Sequence, residues 1–130
     1  MEITVSFPGG VAVAAQLPAH VVLTDQPAPL GEGSAPSPFD LFLASLATCA
    51  GFYALRFCQQ REIPTDGMRL SLATERDPTS KRLAKIGIVL DLPAGFPERY
   101  REAVIRAMDQ CAVKKAIVDP PAFDVVARPA

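Results

Sequence analysis

The chain has little of what metal, nucleotide and protease sites are built from. His20 is the only histidine, there is no CxxC and no cysteine–histidine cluster, and no glycine-rich phosphate loop stands before a helix pattern. Structural zinc, nucleotide binding and cysteine–histidine protease chemistry are unsupported, so neither a metal nor a cofactor is expected. Neither sign of charge is in excess, because thirteen lysines and arginines stand against fourteen aspartates and glutamates. No bulk field therefore draws the chain to nucleic acid or to an anionic membrane. Cysteine is sparse too, at three residues, and the opening Met1-Glu2-Ile3-Thr4 carries no basic leader. That combination fits a reducing cytoplasm better than a secreted disulfide framework, so any disulfide is expected to be transient.

What the sequence does contain is apolar material, 49% of 130 residues, enough for one core and one domain over residues 1–130. The most apolar run, Leu41 to Leu55, is interrupted by Ser45 and Thr48. It is shorter than the roughly 20 residues that span a bilayer and reads as a buried helix, with no membrane partner. Ser37-Pro38-Phe39-Asp40 supplies its start, with serine as the cap, proline in the first position and an acid in the first turn, and the helix should run to about Gln60. A helix apolar nearly all round must be covered on several sides, by its own sheet and by a second subunit, which predicts a homodimer.

Around that helix the periodicity changes. Ile3, Val5 and Phe7 alternate with polar neighbours, Pro8-Gly9-Gly10 interrupts, and Val11, Val13 and Ala15 alternate again, predicting a hairpin. His20 to Asp25 adds a third strand, and the proline-rich and glycine-rich segment Gln26 to Pro38 is a surface loop. Two further strands are predicted by Met68, Leu70 and Leu72 and by Ile86, Ile88, Leu90 and Leu92. From Pro97, apolar residues recur at helical spacing, and Cys111 either extends that helix or opens a short third one. Asp119-Pro120-Pro121 ends the helical region, and Phe123 to Ala127 reads as a last strand. The order is that of an α+β domain with antiparallel hairpins.

The cysteines are the candidate chemistry. Cys58 follows Cys49 by nine residues. On one helix that spacing separates them by about 180° in direction and about 13.5 Å in height, beyond disulfide reach. Cys111 is left as the only plausible partner of Cys49 within the chain. The same residues read equally as small buried hydrophobes. Phe52, Tyr53 and Arg56 share a face with Cys49 and suggest an aromatic-walled thiol pocket; the plainer reading is that the two rings fill core and Arg56 marks where the helix meets water. Lys114 and Lys115 lie a turn beyond Cys111, where they favour a thiolate or are simply solvated. Asp40 points away from Cys49 and reads as a capping residue, and His20 as a surface residue.

Two segments carry a family resemblance. Gly33-Ser34-Ala35-Pro36-Ser37-Pro38-Phe39-Asp40-Leu41-Phe42-Leu43-Ala44-Ser45-Leu46-Ala47-Thr48-Cys49 resembles the loop and central cysteine helix of the OsmC/Ohr family, the osmotically inducible and organic-hydroperoxide-resistance proteins. Cys111-Ala112-Val113-Lys114-Lys115-Ala116 resembles its second-cysteine motif. The resemblance implies an OsmC-like fold, with antiparallel sheets wrapped around a long central helix in an intertwined homodimer. It implies a thiol-dependent peroxidase in which Cys49 attacks an organic hydroperoxide to give a sulfenic acid, Cys111 condenses with it to a disulfide, and a dithiol reductant restores the pair. Phe39, Phe52 and Tyr53 would line the substrate pocket.

The chain departs from the hydroperoxide-resistance branch at two places. That branch carries an arginine in the N-terminal strands, and here no arginine or lysine precedes Arg56; it carries a glutamate after the helix-opening proline, and here Phe39 stands there with Asp40 next. Burial of Cys49 without a nearby cation is thus expected to raise its pKa and slow the reaction. The alternative is a noncatalytic OsmC-fold dimer that binds a small hydrophobic or thiol compound at its interface.

Overall fold

The computed structural model describes residues 1–130. It divides into two compact units, Met1–Ala44 and Ser45–Ala130. The first holds an antiparallel sheet in the order β1 (Thr4–Gly9), β2 (Ala12–Gln16), β3 (Val21–Thr24). Thr4 pairs with Gln16 and Ser6 with Ala14, but Gly9 pairs with Ala12, so the register shifts across Phe7-Pro8, where proline has no N–H to give the ladder. The hairpin turns at Gly10, whose φ of +57° is the left-handed conformation that glycine adopts without strain.

The predicted loop after β3 is ordered by one carboxylate. Asp25, 4% exposed, accepts hydrogen bonds from the Ser34 hydroxyl at 2.7 Å and from the backbone N–H groups of Gln26, Ser34 and Glu32 at 2.7, 3.0 and 3.3 Å. The Ser34 hydroxyl first, then the Gln26 and Ser34 amides, hold its pKa down to about 2. Gly31 is required there, because a Cβ would stand 2.2 Å from the Gln26 carbonyl oxygen.

Helix α1 (Pro38–Gln60) starts and stops where the sequence predicts. The Asp40 N–H donates to Ser37 Oγ at 3.1 Å, satisfying one of the amides a helix start leaves free. The helix is longer than its apolar run: at 23 residues and a mean hydropathy of 1.6 it is long enough to cross a bilayer. Its C-terminal half is instead a core helix of the second unit.

That unit adds an antiparallel pair, β4 (Arg69–Arg76) and β5 (Leu83–Asp91), a 3-10 turn at Glu98–Tyr100, and helices α2 (Arg101–Met108) and α3 (Ala112–Val118). Leu70 pairs with Leu90 and Leu72 with Ile88, so one face of the pair carries an apolar stripe. The core joins Ala54 and Phe57 of α1 to Val104 of α2, with Leu90, Leu92, Phe96 and Tyr100 packed around them. Burying a side chain the size of Phe57 contributes about 1.5–3 kcal/mol. The Arg61 guanidinium covers this cluster, 3.6 Å from the Phe57 ring centre.

The predicted last strand does not form. Residues 119–130 have no regular structure, and Phe123 and Val125 are 86% and 90% exposed. Their alternation fits a strand, but a strand exists only against a hydrogen-bonding neighbour, and neither sheet of this chain pairs with the segment.

Candidate functional site

The site rests on where α2 stops. The Asp109 and Gln110 N–H groups close the last turn of α2 onto Ile105 and Ala107, and the Cys111 N–H donates to the Met108 carbonyl at 3.2 Å. Cys111 then leaves the helical conformation at φ −47° and ψ 117° and caps α3, its Sγ accepting from the Lys114 N–H at 3.4 Å. The chain reversal turns the first amides of α3, Ala112 and Val113, toward Cys49, in the middle of α1.

The structure therefore brings Cys49 and Cys111 together as neighbouring free thiols and leaves Cys58 apart in the core. Cys49 is half-buried, whereas Cys111 is 2% exposed and Cys58 fully enclosed. Burial pushes the Cys49 thiol up, but hydrogen bonds from the Cys111 thiol and from the Val113 and Ala112 amides outweigh it and hold Cys49 below the ordinary thiol value. Cys111 is shifted the other way: burial raises it, and its S–H is the donor that serves Cys49. Cys58 is also raised, by burial, with Arg61 opposing. The expectation that Cys49 would be raised for want of a cation is overturned, because backbone amides and a thiol supply the stabilisation that a side-chain charge was expected to give.

The lysines play no direct part in that shift. Lys114 Nζ is ion-paired with Asp109, and Lys115 Nζ donates to Gln110 Oε1 at 2.8 Å. It is the backbone of this basic segment, not its side chains, that meets the sulfurs. Arg56 donates to Gln59 Oε1 at 2.9 Å. The His20 backbone carbonyl accepts from Leu17 in the turn between β2 and β3.

Two concavities lie within the second unit; Cys111 lines the first, and neither is lined by Cys49. One, of about 580 Å³, is lined by Ile88, Leu90, Val104, Met108, Ile117 and Cys111 among others, and is mostly apolar. The other, of about 520 Å³, carries Phe52 and Tyr53, whose rings meet edge to face at 5.2 Å. Phe52 is 54% exposed, so it does not fill core in the single chain. Phe39 belongs to the first unit, where it packs on Phe42 at 5.5 Å in the first turn of α1 and is 41% exposed. Sequence reading missed the Ala112 and Val113 amides, for which the only available signal was the capping geometry that a helix start after Cys111 implies. No cluster of histidine, cysteine and carboxylate able to hold a metal ion is present.

Comparison with known proteins places this arrangement. No curated protein sequence matches the chain. Among solved structures, a protein of Psychrobacter arcticus 273-4, provisionally described as osmotic stress induced and of the detoxification response, is 21% identical with a TM-score of 0.73, covering 88% of this chain and 85% of its own. An OsmC-like protein of Mycoplasma pneumoniae is 14% identical with a TM-score of 0.72, covering 92% and 87%. An organic hydroperoxide resistance protein OsmC from Legionella pneumophila is 21% identical with a TM-score of 0.58, covering 90% and 89%. At these identities the likeness speaks to the fold, which is the α+β, OsmC-like arrangement of antiparallel sheets and a long helix. The family model described as OsmC-like protein matches residues 31–126, a span that contains α1, Cys49 and Cys111. The chain belongs to the OsmC-like protein family.

Proposed function

We propose that the protein is a thiol-dependent peroxidase that reduces organic hydroperoxides, with Cys49 as the attacking thiolate and Cys111 as the resolving thiol. The observation that carries this reading is the placement of two free thiols side by side, Cys49 in the middle of α1 and Cys111 capping α3, where neighbouring amides hold Cys49 down and burial holds Cys111 up. A reactive cysteine must be a thiolate at neutral pH, and its partner must stay protonated until the second step. A family relative named for organic hydroperoxide resistance supports the choice of substrate.

The Cys49 thiolate attacks the outer oxygen of ROOH, the O–O bond breaks, and the alkoxide leaves with a proton as ROH, giving Cys49 sulfenic acid. Cys111 sulfur then attacks the Cys49 sulfur, water leaves, and a disulfide closes. A dithiol exchanges with that disulfide through a mixed disulfide, returning both thiols and becoming the oxidised product. The sum is ROOH plus a dithiol giving ROH, water and a cyclic or bridged disulfide. Phe52 and Tyr53, one turn along α1 from Cys49, supply apolar wall for R.

A homodimer belongs to this reading. Only Leu46, Ala50, Ala54, Phe57 and Cys58 of α1 are buried in the single chain, while Phe52 and Leu55 face out. Covering that helix takes an obligate interface of more than about 2,000 Å², and a stable monomer in sedimentation at micromolar concentration would contradict it. The protein would work in a reducing compartment, the cytoplasm, where a dithiol is available.

A noncatalytic dimer that binds a small hydrophobic or thiol compound is the second reading, favoured by the apolar cavity of about 580 Å³ beside Cys111. Consumption of cumene hydroperoxide with a dithiol reductant separates the two. The peroxidase reading expects turnover that is lost in Cys49→Ser and stalls after one cycle in Cys111→Ser; turnover surviving Cys49→Ser, or none with any hydroperoxide, would overturn it.

A further inference from the structure

The groove that Phe52 and Tyr53 open carries more positive charge than a hydroperoxide pocket uses. Arg56 and Arg61 from the α1 end and Arg106 from α2 all line it, and no aspartate or glutamate does. In a chain whose acidic and basic residues are nearly equal in number, three guanidinium groups on one groove without a carboxylate is a local imbalance. The ion pairs Arg101–Glu98 and Lys114–Asp109 lie outside it.

The arginines are also prepared for a ligand. Arg61 is fixed by a 3.1 Å hydrogen bond to the Phe57 carbonyl and by stacking 3.6 Å over the Phe57 ring, so its remaining N–H donors are presented by a side chain already ordered. Arg56 uses one nitrogen on Gln59. A guanidinium has five N–H donors and no acceptor, so each of these groups keeps unused donors for an anion. Ala103, Ala107, Phe52, Tyr53 and Phe57 give the groove an apolar part beside the arginines. Its volume of about 520 Å³ lies within the range of small-molecule sites.

We propose that this groove is a binding site for an amphipathic carboxylate, with the arginines holding the acid group and the aromatic wall holding an aliphatic or aromatic body. Forked planar donors match a carboxylate in bidentate fashion, and the apolar part excludes a bare inorganic anion as the preferred ligand. The direction is set by the fold. Arg56 lies seven residues, about 10 Å, beyond Cys49 on α1. Phe52 and Tyr53 lie between them, and Gln110 on the groove adjoins Cys111. A bound acid therefore points its apolar body back toward the cysteine pair. The site goes beyond the peroxidase reading and stands whether or not Cys49 turns over peroxide.

The test is titration calorimetry of the whole protein with decanoate, 1-decanol and inorganic phosphate, in the native chain, in Arg56→Gln/Arg106→Gln and in Cys49→Ser. The proposal expects one decanoate per chain, bound about tenfold tighter than decanol, a difference of about 1.4 kcal/mol. It expects that preference to vanish in the double arginine variant with decanol affinity kept, and to survive in Cys49→Ser. Equal affinity for decanoate and decanol in the native protein, or a preference untouched by the arginine substitutions, would overturn it. So would phosphate binding as tightly as decanoate, which would make the groove a bare anion patch. Sedimentation of the double variant completes the test: dissociation of a native dimer would mean that the arginines hold an acidic face of a second copy, and the proposal would fail.

Discussion

The depressed ionisation of Cys49 should depend on Cys111 in a way that alkylation can measure. Cys111 acts on Cys49 twice, by donating its S–H and by capping α3, which keeps the Ala112 and Val113 amides in place. Cys111→Ala removes both, and losing a cap costs a helix about 0.5–2 kcal/mol, a large fraction of what orders a seven-residue helix. Cys111→Ser keeps an O–H donor and a good capping oxygen. The pH at which iodoacetamide labelling of Cys49 is half-maximal should therefore lie below the ordinary thiol range of about 8.5 in the native chain. It should move up strongly in Cys111→Ala and less in Cys111→Ser. Each unit of upward movement lowers the thiolate fraction about tenfold, of which greater nucleophilicity of the thiolate returns roughly threefold. Cys58, fully enclosed, provides the internal standard. Labelling it requires opening the core, and an opening cost near about 5 kcal/mol slows it by more than about a thousandfold relative to an accessible thiol. Peptide mapping after timed labelling across pH reads all three cysteines at once. A Cys49 midpoint unmoved or lowered in Cys111→Ala would refute the reasoning.

Two more outcomes follow from the packing. Asp25 titrates at about 2 in the folded chain against an ordinary 3.8, so the stability it contributes is complete above pH 3.8 and is lost as the pH falls toward 2; circular dichroism across that window should show an acid transition in the native chain that Asp25→Asn removes. Val104→Ala deletes two methyl groups at a position 1% exposed in the core, and should lower stability by about 2 kcal/mol at unchanged urea m-value, from about 0.8 kcal/mol per buried carbon plus the cavity left.

The sequence was most legible where a local rule is strong. The serine cap and proline that start α1, the hairpin around Gly10, and the exclusion of Cys58 from the pair each follow from chemistry within a few residues or from helix geometry. The α+β order and the two cysteine segments carried the family. It was least legible where a property belongs to the backbone of a distant segment. Nothing in the side chains around Cys49 announces that the amides of Ala112 and Val113 will face it, and a reading confined to side-chain charges reached the wrong sign for its pKa. The segment Phe123 to Ala127 failed for a related reason: alternation describes a residue's fitness for a strand, but not whether an edge is present to receive it. The arginine groove was half visible. Arg56 reads as the end of a buried face and Arg61 follows just past α1, while Arg106 joins them only through the packing of α2 against α1.

The central claim, a peroxide-driven cycle between Cys49 and Cys111, is tested most directly by intact-protein mass spectrometry after one equivalent of cumene hydroperoxide without reductant. The account predicts that the native chain loses two hydrogens, with the new bond mapped to Cys49 and Cys111. Cys111→Ser should instead gain one oxygen on Cys49, trapped as the sulfenic acid by dimedone, and Cys49→Ser should remain unchanged. A native chain that stays fully reduced, or that oxidises first at Cys58, would contradict it.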